Sequence, residues 1–117
     1  MSDELRVRQG EVWQVRLDPV EGSEQGGTRP VLVLSDDALN ESLPVVTVAS
    51  ITSRKLDRIY RTEVMLPAPE GGLRRDGKVM LYQLRTVSKS RMQSKRGTVS
   101  QLTLQQCMAA LRVVFGM

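Results

Sequence analysis

Two apolar segments, Val12 to Leu17 and Val31 to Leu34, flank the stretch Gly22-Ser23-Glu24-Gln25-Gly26-Gly27-Thr28-Arg29-Pro30. This arrangement constrains the fold more than any other feature of the chain. The first segment alternates and predicts a strand with one buried face; the second has no polar position and predicts a strand covered on both faces. The glycines let the connection bend and let a ligand's backbone come close. Pro30 biases Arg29 towards an extended conformation and starts the second strand. A loop carrying a carboxylate, an amide and a guanidinium on a strand pair suits a phosphodiester, although its glycines can equally serve only the turn.

The remaining chain predicts more short strands. Ser35-Asp36-Asp37 offers a helix N-cap, a short turn follows over Ala38 to Ser42, and Pro44 closes it. Strands are expected over Val45 to Ile51, Thr62 to Leu66, Lys78 to Leu84 and, briefly, Gly97 to Val99. Arg54 to Arg58 reads as a mobile basic loop, Pro67 to Gly72 as a loop and Asp76-Gly77 as a turn. Ser88 to Met92 fits one helical turn. Leu104, Cys107, Met108, Leu111, Val114 and Phe115 form one apolar stripe of a last helix, with Thr103 and Gln106 as a capping box and Gly116 as its stop. Core packing explains that stripe more simply than an interface does. The expected product is a single domain over residues 1–117 with a loose lead-in over 1–8. It is a small α+β, mainly β, partly open barrel of about five to seven strands, with short helical inserts and a C-terminal helix.

Composition narrows the chemistry. The 117 residues include no histidine and one cysteine, Cys107. A histidine general base, a Ser-His triad, a His-ligated metal and a cysteine zinc knuckle are therefore excluded. Cys107 reads as a buried small hydrophobe, and the lone Trp13 as packing rather than a base-stacking platform. Residues 1–53 carry 4 basic and 9 acidic side chains, and residues 54–117 carry 13 and 4; the balances of −5 and +9 sum to the net +4. No acid follows Asp76. Such a bias fits a polyanion or an acidic protein partner, or simply a solvated basic face. No apolar run has the roughly 18 residues of a spanning helix, and Met1 to Arg6 has no apolar signal core. A cytoplasmic protein without membrane partners is the expectation.

Gly10-Glu11-Val12-Trp13, Leu17-Asp18-Pro19, Gly22 to Pro30 and Val31 to Asp37, in that order, closely resemble the MazF/PemK toxin family. Ile51-Thr52-Ser53, Gly72-Leu73 before Asp76, and Gln83-Leu84-Arg85-Thr86-Val87 leading to Lys89-Ser90-Arg91 extend the likeness over about residues 9–116. The resemblance implies the SH3-like barrel of the CcdB/PemK toxin fold and a homodimeric, sequence-specific endoribonuclease that cuts single-stranded mRNA and arrests growth. It implies cleavage with neither metal nor cofactor, through 2′-hydroxyl attack, leaving a 2′,3′-cyclic phosphate and a 5′-hydroxyl. Its catalytic Arg falls on Arg29 and its catalytic Thr on Thr52. Ser23, Glu24, Gln25, Ser53 and Gln83 match positions near the family's RNA cleft, and Glu24 is the nearest candidate base.

The implied protein partner is an antitoxin whose acidic C-terminal segment lies across the RNA groove, with DNA contacted only through that antitoxin. Some relatives place an Arg and an Asp two residues apart just before the Gln matched by Gln83, where this chain has Met80 and Tyr82. Its chemistry should then rest on Arg29 and Thr52. Two alternatives keep the fold. A CcdB-like gyrase-binding toxin needs a C-terminal Trp-Gly-Ile, whereas this chain ends Phe115-Gly116-Met117. A non-catalytic SH3-like RNA- or peptide-binding module needs only the basic surface.

Overall fold

The computed structural model describes residues 5–17 and 27–117. In chain order the elements are β1 (Glu11–Arg16), β2 (Thr28–Val33), α1 (Asp37–Ser42), β3 (Val45–Thr52), β4 (Glu63–Leu66), β5 (Gly77–Ser88), β6 (Met92–Thr98) and α2 (Gln101–Phe115). Short 3-10 turns occupy Glu70–Gly72 and Lys89–Arg91. The strands form one 6-stranded sheet in the order β4-β5-β3-β2-β1-β6, antiparallel at every pairing. This is the mainly β, partly open architecture with a C-terminal helix that the sequence leads one to expect.

Two apolar clusters cover the two faces of the sheet. Val12, Leu32, Ala49, Ile51, Val79 and Leu81 belong to the cluster under α2, together with Cys107 and Ala110 of the helix. Trp13, Val15, Val31, Val33, Val46 and Val48 form the other, joined by Val7, Val87 and Met92. Strand β1 therefore feeds both clusters, so the expectation of a single buried face is corrected. Glu11 and Gln14 made β1 look half-solvated. Glu11 is nevertheless buried, its Oε1 accepting the Trp13 indole N–H at 2.9 Å and its Oε2 3.0 Å from Lys95 Nζ. Val7 is buried as well, so the lead-in is packed from that residue on.

Several boundaries move for local reasons. Strand β6 is much longer than Gly97 to Val99 because β1 supplies a partner along Met92–Thr98, and such edge pairing tolerates the polar Gln93, Ser94 and Lys95. Asp76-Gly77 is not a turn: Gly77 opens β5, and Asp76 Oδ1 accepts the Ala68 N–H at 2.9 Å. Helix α2 is capped by Ser100, whose Oγ accepts from Thr103 N at 3.1 Å, so the Thr103–Gln106 capping box is not formed. Thr103 instead donates its hydroxyl to Glu70 Oε2 at 2.6 Å, a bond that holds the Glu70 carboxyl below its usual range against the opposing effect of burial. Gly116 ends the helix in the left-handed region as expected, and Phe115 lies off the buried stripe at 61% exposure. Cys107 is fully buried, and burial with the nearby Glu70 charge pushes its thiol up to about 12.

The sheet is drawn round by one backbone crossing. The segment Glu70–Gly72, just after edge strand β4, lies against edge strand β6. A methyl on Gly97 would sit 2.7 Å from the Gly71 carbonyl carbon and 2.8 Å from Gly72 N, and one on Gly72 would overlap the Arg96 carbonyl. Neither strand nor turn can back away without opening the sheet, so only glycine fits. Gly97→Ala is expected to destabilise the fold by about 1–3 kcal/mol, through overpacking of backbone against backbone. Urea denaturation with an unchanged midpoint would show that the crossing is looser than described.

Candidate functional site

At the Thr52 end of β3 the neighbouring strands bring together polar groups that the core excludes. Along β2 and β3, Val31 pairs with Ser50. Arg29 and Thr52 lie two residues beyond that pair, each within its own strand. Side chains alternate along a strand, so both share the face of Val31 and Ser50. On its other side Arg29 pairs with Val15. Arg29 is exposed and Thr52 half-buried, which leaves the guanidinium and the hydroxyl accessible at one rim.

Lys78 pairs with Thr52 from the β5 side. It is only 4% exposed, yet its ammonium has three oxygen partners: Glu63 Oε1 at 2.9 Å, the Lys55 carbonyl at 3.0 Å and the Arg58 carbonyl at 2.9 Å. Burial alone would raise the Glu63 carboxyl. The Tyr60 N–H and the Lys78 ammonium outweigh it and hold the group below its usual range. This lysine therefore ties down the loop that the sequence suggests is mobile. The loop also returns to the site, because Arg54 N donates to Thr52 Oγ1 at 3.1 Å. With that lone pair used, the Thr52 hydroxyl keeps its own hydrogen for an acceptor.

Beside these groups opens a cavity of about 520 Å³ whose wall includes Thr52, Ser53, Pro30, Gln14, Arg74, Arg75 and Arg96. The Arg96 guanidinium donates to Gln14 Oε1 at 2.9 Å and to the Gly72 carbonyl at 3.2 Å, so it is held in place by the same crossing that closes the sheet.

The expected site residues are thus partly assembled. Arg29 and Thr52 share one face at the ends of neighbouring strands, and Ser53, the next residue, lines the cavity with Thr52. Gln83 does not line the cavity. It lies in a bulge of β5: Ala49 pairs with Leu84 but the next residue, Ser50, pairs with Met80, leaving Leu81, Tyr82 and Gln83 without a partner on β3. The bulge turns Tyr82 and Gln83 outward, Tyr82 to 73% exposure. Ser23, Glu24 and Gln25 lie outside the described residues. Sequence reasoning missed Lys78, Gln14 and the three cavity arginines. The positive bias after residue 54 was the only signal for Arg74, Arg75 and Arg96; nothing local distinguished Lys78 from any polar strand residue.

Comparison with known proteins bears on the family and the fold. The sequence model described as the PemK-like, MazF-like toxin of type II toxin-antitoxin system matches residues 8–115. The chain belongs to this toxin family. MazF from Deinococcus radiodurans is 30% identical, with a TM-score of 0.79 over 97% of this chain and 100% of that one. A MazE-MazF structure from the same organism is 28% identical, with a TM-score of 0.80 over 97% and 99% of the two chains. A mycobacterial endoribonuclease in complex with its cognate antitoxin, 23% identical, shares the fold at a TM-score of 0.76 over 95% and 96%.

The buried pair beside Thr52 should be felt in the stability of this MazF-like toxin. Lys78→Met leaves the Glu63 carboxylate and two carbonyls without their cation, at an expected cost of about 3–5 kcal/mol. It should also speed tryptic cleavage at Lys55 or Arg58; an unaltered digest would show that the lysine does not restrain the loop. Because the folded Glu63 pKa is lowered, its contribution is complete above its ordinary value of 4.5 and is lost as pH falls through the lowered value. Acid titration of stability should therefore show a smaller loss below pH 4.5 in Glu63→Gln than in the wild type.

Proposed function

We propose that this toxin is a sequence-specific endoribonuclease that cuts single-stranded mRNA with neither metal nor cofactor and is neutralised by a cognate antitoxin. The observation that carries the reading is the register at the rim: a permanently charged guanidinium and a hydroxyl share one face at the ends of adjacent strands. Relatives of the same fold are named endoribonucleases, and some are found with an antitoxin.

In this reading the ribose 2′-oxygen attacks the adjacent phosphorus, the P–O5′ bond breaks, and its electron pair leaves with O5′. The products are a 2′,3′-cyclic phosphate and, after O5′ takes up a proton, a 5′-hydroxyl. Arginine stays protonated at any ordinary pH, so Arg29 serves as an electrostatic clamp on the charge growing on the phosphorane oxygens and as a donor towards O5′. Thr52 donates its free hydrogen to a non-bridging oxygen. Glu24 is the proposed acceptor of the 2′-hydroxyl proton, and Ser23, Gln25, Ser53 and Gln83 are proposed contacts to unstacked bases. The positive balance of residues 54–117 suits both the RNA and an acidic antitoxin segment that folds on binding. The working form is a cytoplasmic homodimer.

Removing one preorganised donor of this kind typically costs about 10²–10³ in rate. Arg29→Ala and Thr52→Val should each lose at least about 10² in cleavage of a long natural RNA in EDTA while keeping the wild-type melting temperature. The 5′-hydroxyl ends of the products are read by their direct phosphorylation with a polynucleotide kinase. Wild-type turnover in Arg29→Ala would remove its assigned role. Intact RNA with trapped gyrase–DNA complexes would instead identify a gyrase poison, and intact but retarded RNA a binding module.

A further inference from the structure

The cavity beside Thr52 holds more positive charge than the reaction itself requires. Arg74 and Arg75 are both exposed on its wall, in the bend between the Glu70–Gly72 turn and β5, while Arg96 is fixed from the β6 side. The single acid on the wall, Asp76, accepts the Ala68 N–H at 2.9 Å. Three guanidinia against one carboxylate leave the cavity strongly cationic. Its volume of about 520 Å³ lies in the range of small-ligand pockets, roughly 300–1,000 Å³, and suits one nucleotide rather than a length of folded chain. Pro30, Ile51 and Leu73 supply an apolar floor. Gln14 has its amide oxygen engaged by Arg96, which leaves its amide N–H groups for an acceptor on a base edge.

We propose that this cavity is a nucleotide subsite: it seats the RNA unit next to the scissile bond, with Arg74 and Arg75 clamping that unit's outer phosphate and the base lying over the apolar floor. The inference rests on the nuclease reading of Thr52, since Thr52 and Ser53 form the shared wall between cavity and rim. Planar guanidinia grip phosphate in two-pronged fashion and also stack on bases, so they suit a nucleotide better than a point-charge lysine would. Arg74 and Arg75 act here by positioning the substrate; the chemistry stays with Arg29 and Thr52.

The test compares wild type with the double variant Arg74→Ala, Arg75→Ala on a single-site oligoribonucleotide and on versions shortened by one nucleotide at either end. The double variant should lose about 10–100-fold in kcat/KM. Its salt dependence should be shallower by roughly 0.7 in the log–log slope, the contribution of the one single-strand phosphate that the two arginines share. Shortening one particular end should cost the wild type a similar factor and the variant almost nothing, the non-additivity expected of groups in contact. Arg74→Lys, Arg75→Lys should recover the salt slope but only part of the rate. Wild-type kcat/KM and slope in the alanine variant would overturn the proposal, as would equal sensitivity of both proteins to shortening. Loss of binding to poly-glutamate alone, with RNA cleavage untouched, would also overturn it and mark an acidic-peptide site. Should the wild type cut no RNA, the nuclease reading fails separately. The cavity is then judged by binding of the same oligonucleotide: loss of binding in the alanine variant keeps the subsite, and equal binding removes it.

Discussion

Contact between Gly71-Gly72 and Gly97 is the constraint on which the rest of this structure depends. The sheet has two free edges, β4 and β6, far apart in strand order. The turn after β4 crosses to β6 and meets it backbone to backbone, at a separation that no Cβ can enter. That closure bends the sheet enough for each face to be covered by its own apolar cluster. It also delivers Leu73, Arg74 and Arg75 to the side of Arg96. The stability of the barrel and the shape of the cationic cavity thus share one cause. A change that relaxed the crossing would disturb both.

The rim works by a division of labour between fixed and exposed charge. Lys78 is buried, satisfied by one carboxylate and two carbonyls, and spends its charge on holding a loop. Buried ion pairs of this type add little net stability over an apolar substitute, but losing one partner is costly. Their value here is geometric. The loop they hold supplies the Arg54 N–H that engages Thr52, and so orients the hydroxyl. Arg29 is exposed near the start of β2, a strand that becomes fully buried from Val31 on. In the proposed reaction a donor seated on so rigid a base would need little reorganisation as charge develops.

The bulge divides β5 into two stretches that pair with β3 in different registers. Along Val45 to Ala49, β5 continues the sheet, with Thr47 and Thr86 bonded hydroxyl to hydroxyl at 3.0 Å. Past the bulge its register changes, and Lys78 faces Thr52. Tyr82 and Gln83 are lifted out between the two halves. Tyr82 presents a ring and a hydroxyl, not a carboxylate, at this exposed point of the strand.

Much of the fold was legible from local pattern. The Val31 to Leu34 run, the Asp36 cap of α1, the Ser88 to Met92 turn and the Gly116 stop are short-range effects, set by residues within a few positions of one another. That Arg29 and Thr52 would share one face was not legible locally, since it follows from the register of β2 on β3. The length of β6, the second buried face of β1 and the role of Ser100 as cap were not, because each depends on a partner distant in sequence: β1 for β6, the second apolar cluster for β1, and the Glu70 carboxylate that takes the Thr103 hydroxyl. By itself the sequence determined a chain without imidazole, rich in short strands and positive in its second half. Only the tertiary structure decided which of those positive charges is buried as a strut and which stand together on a cavity wall. Charge is written in the composition, whereas the distance between charges exists only once the sheet has bent and closed.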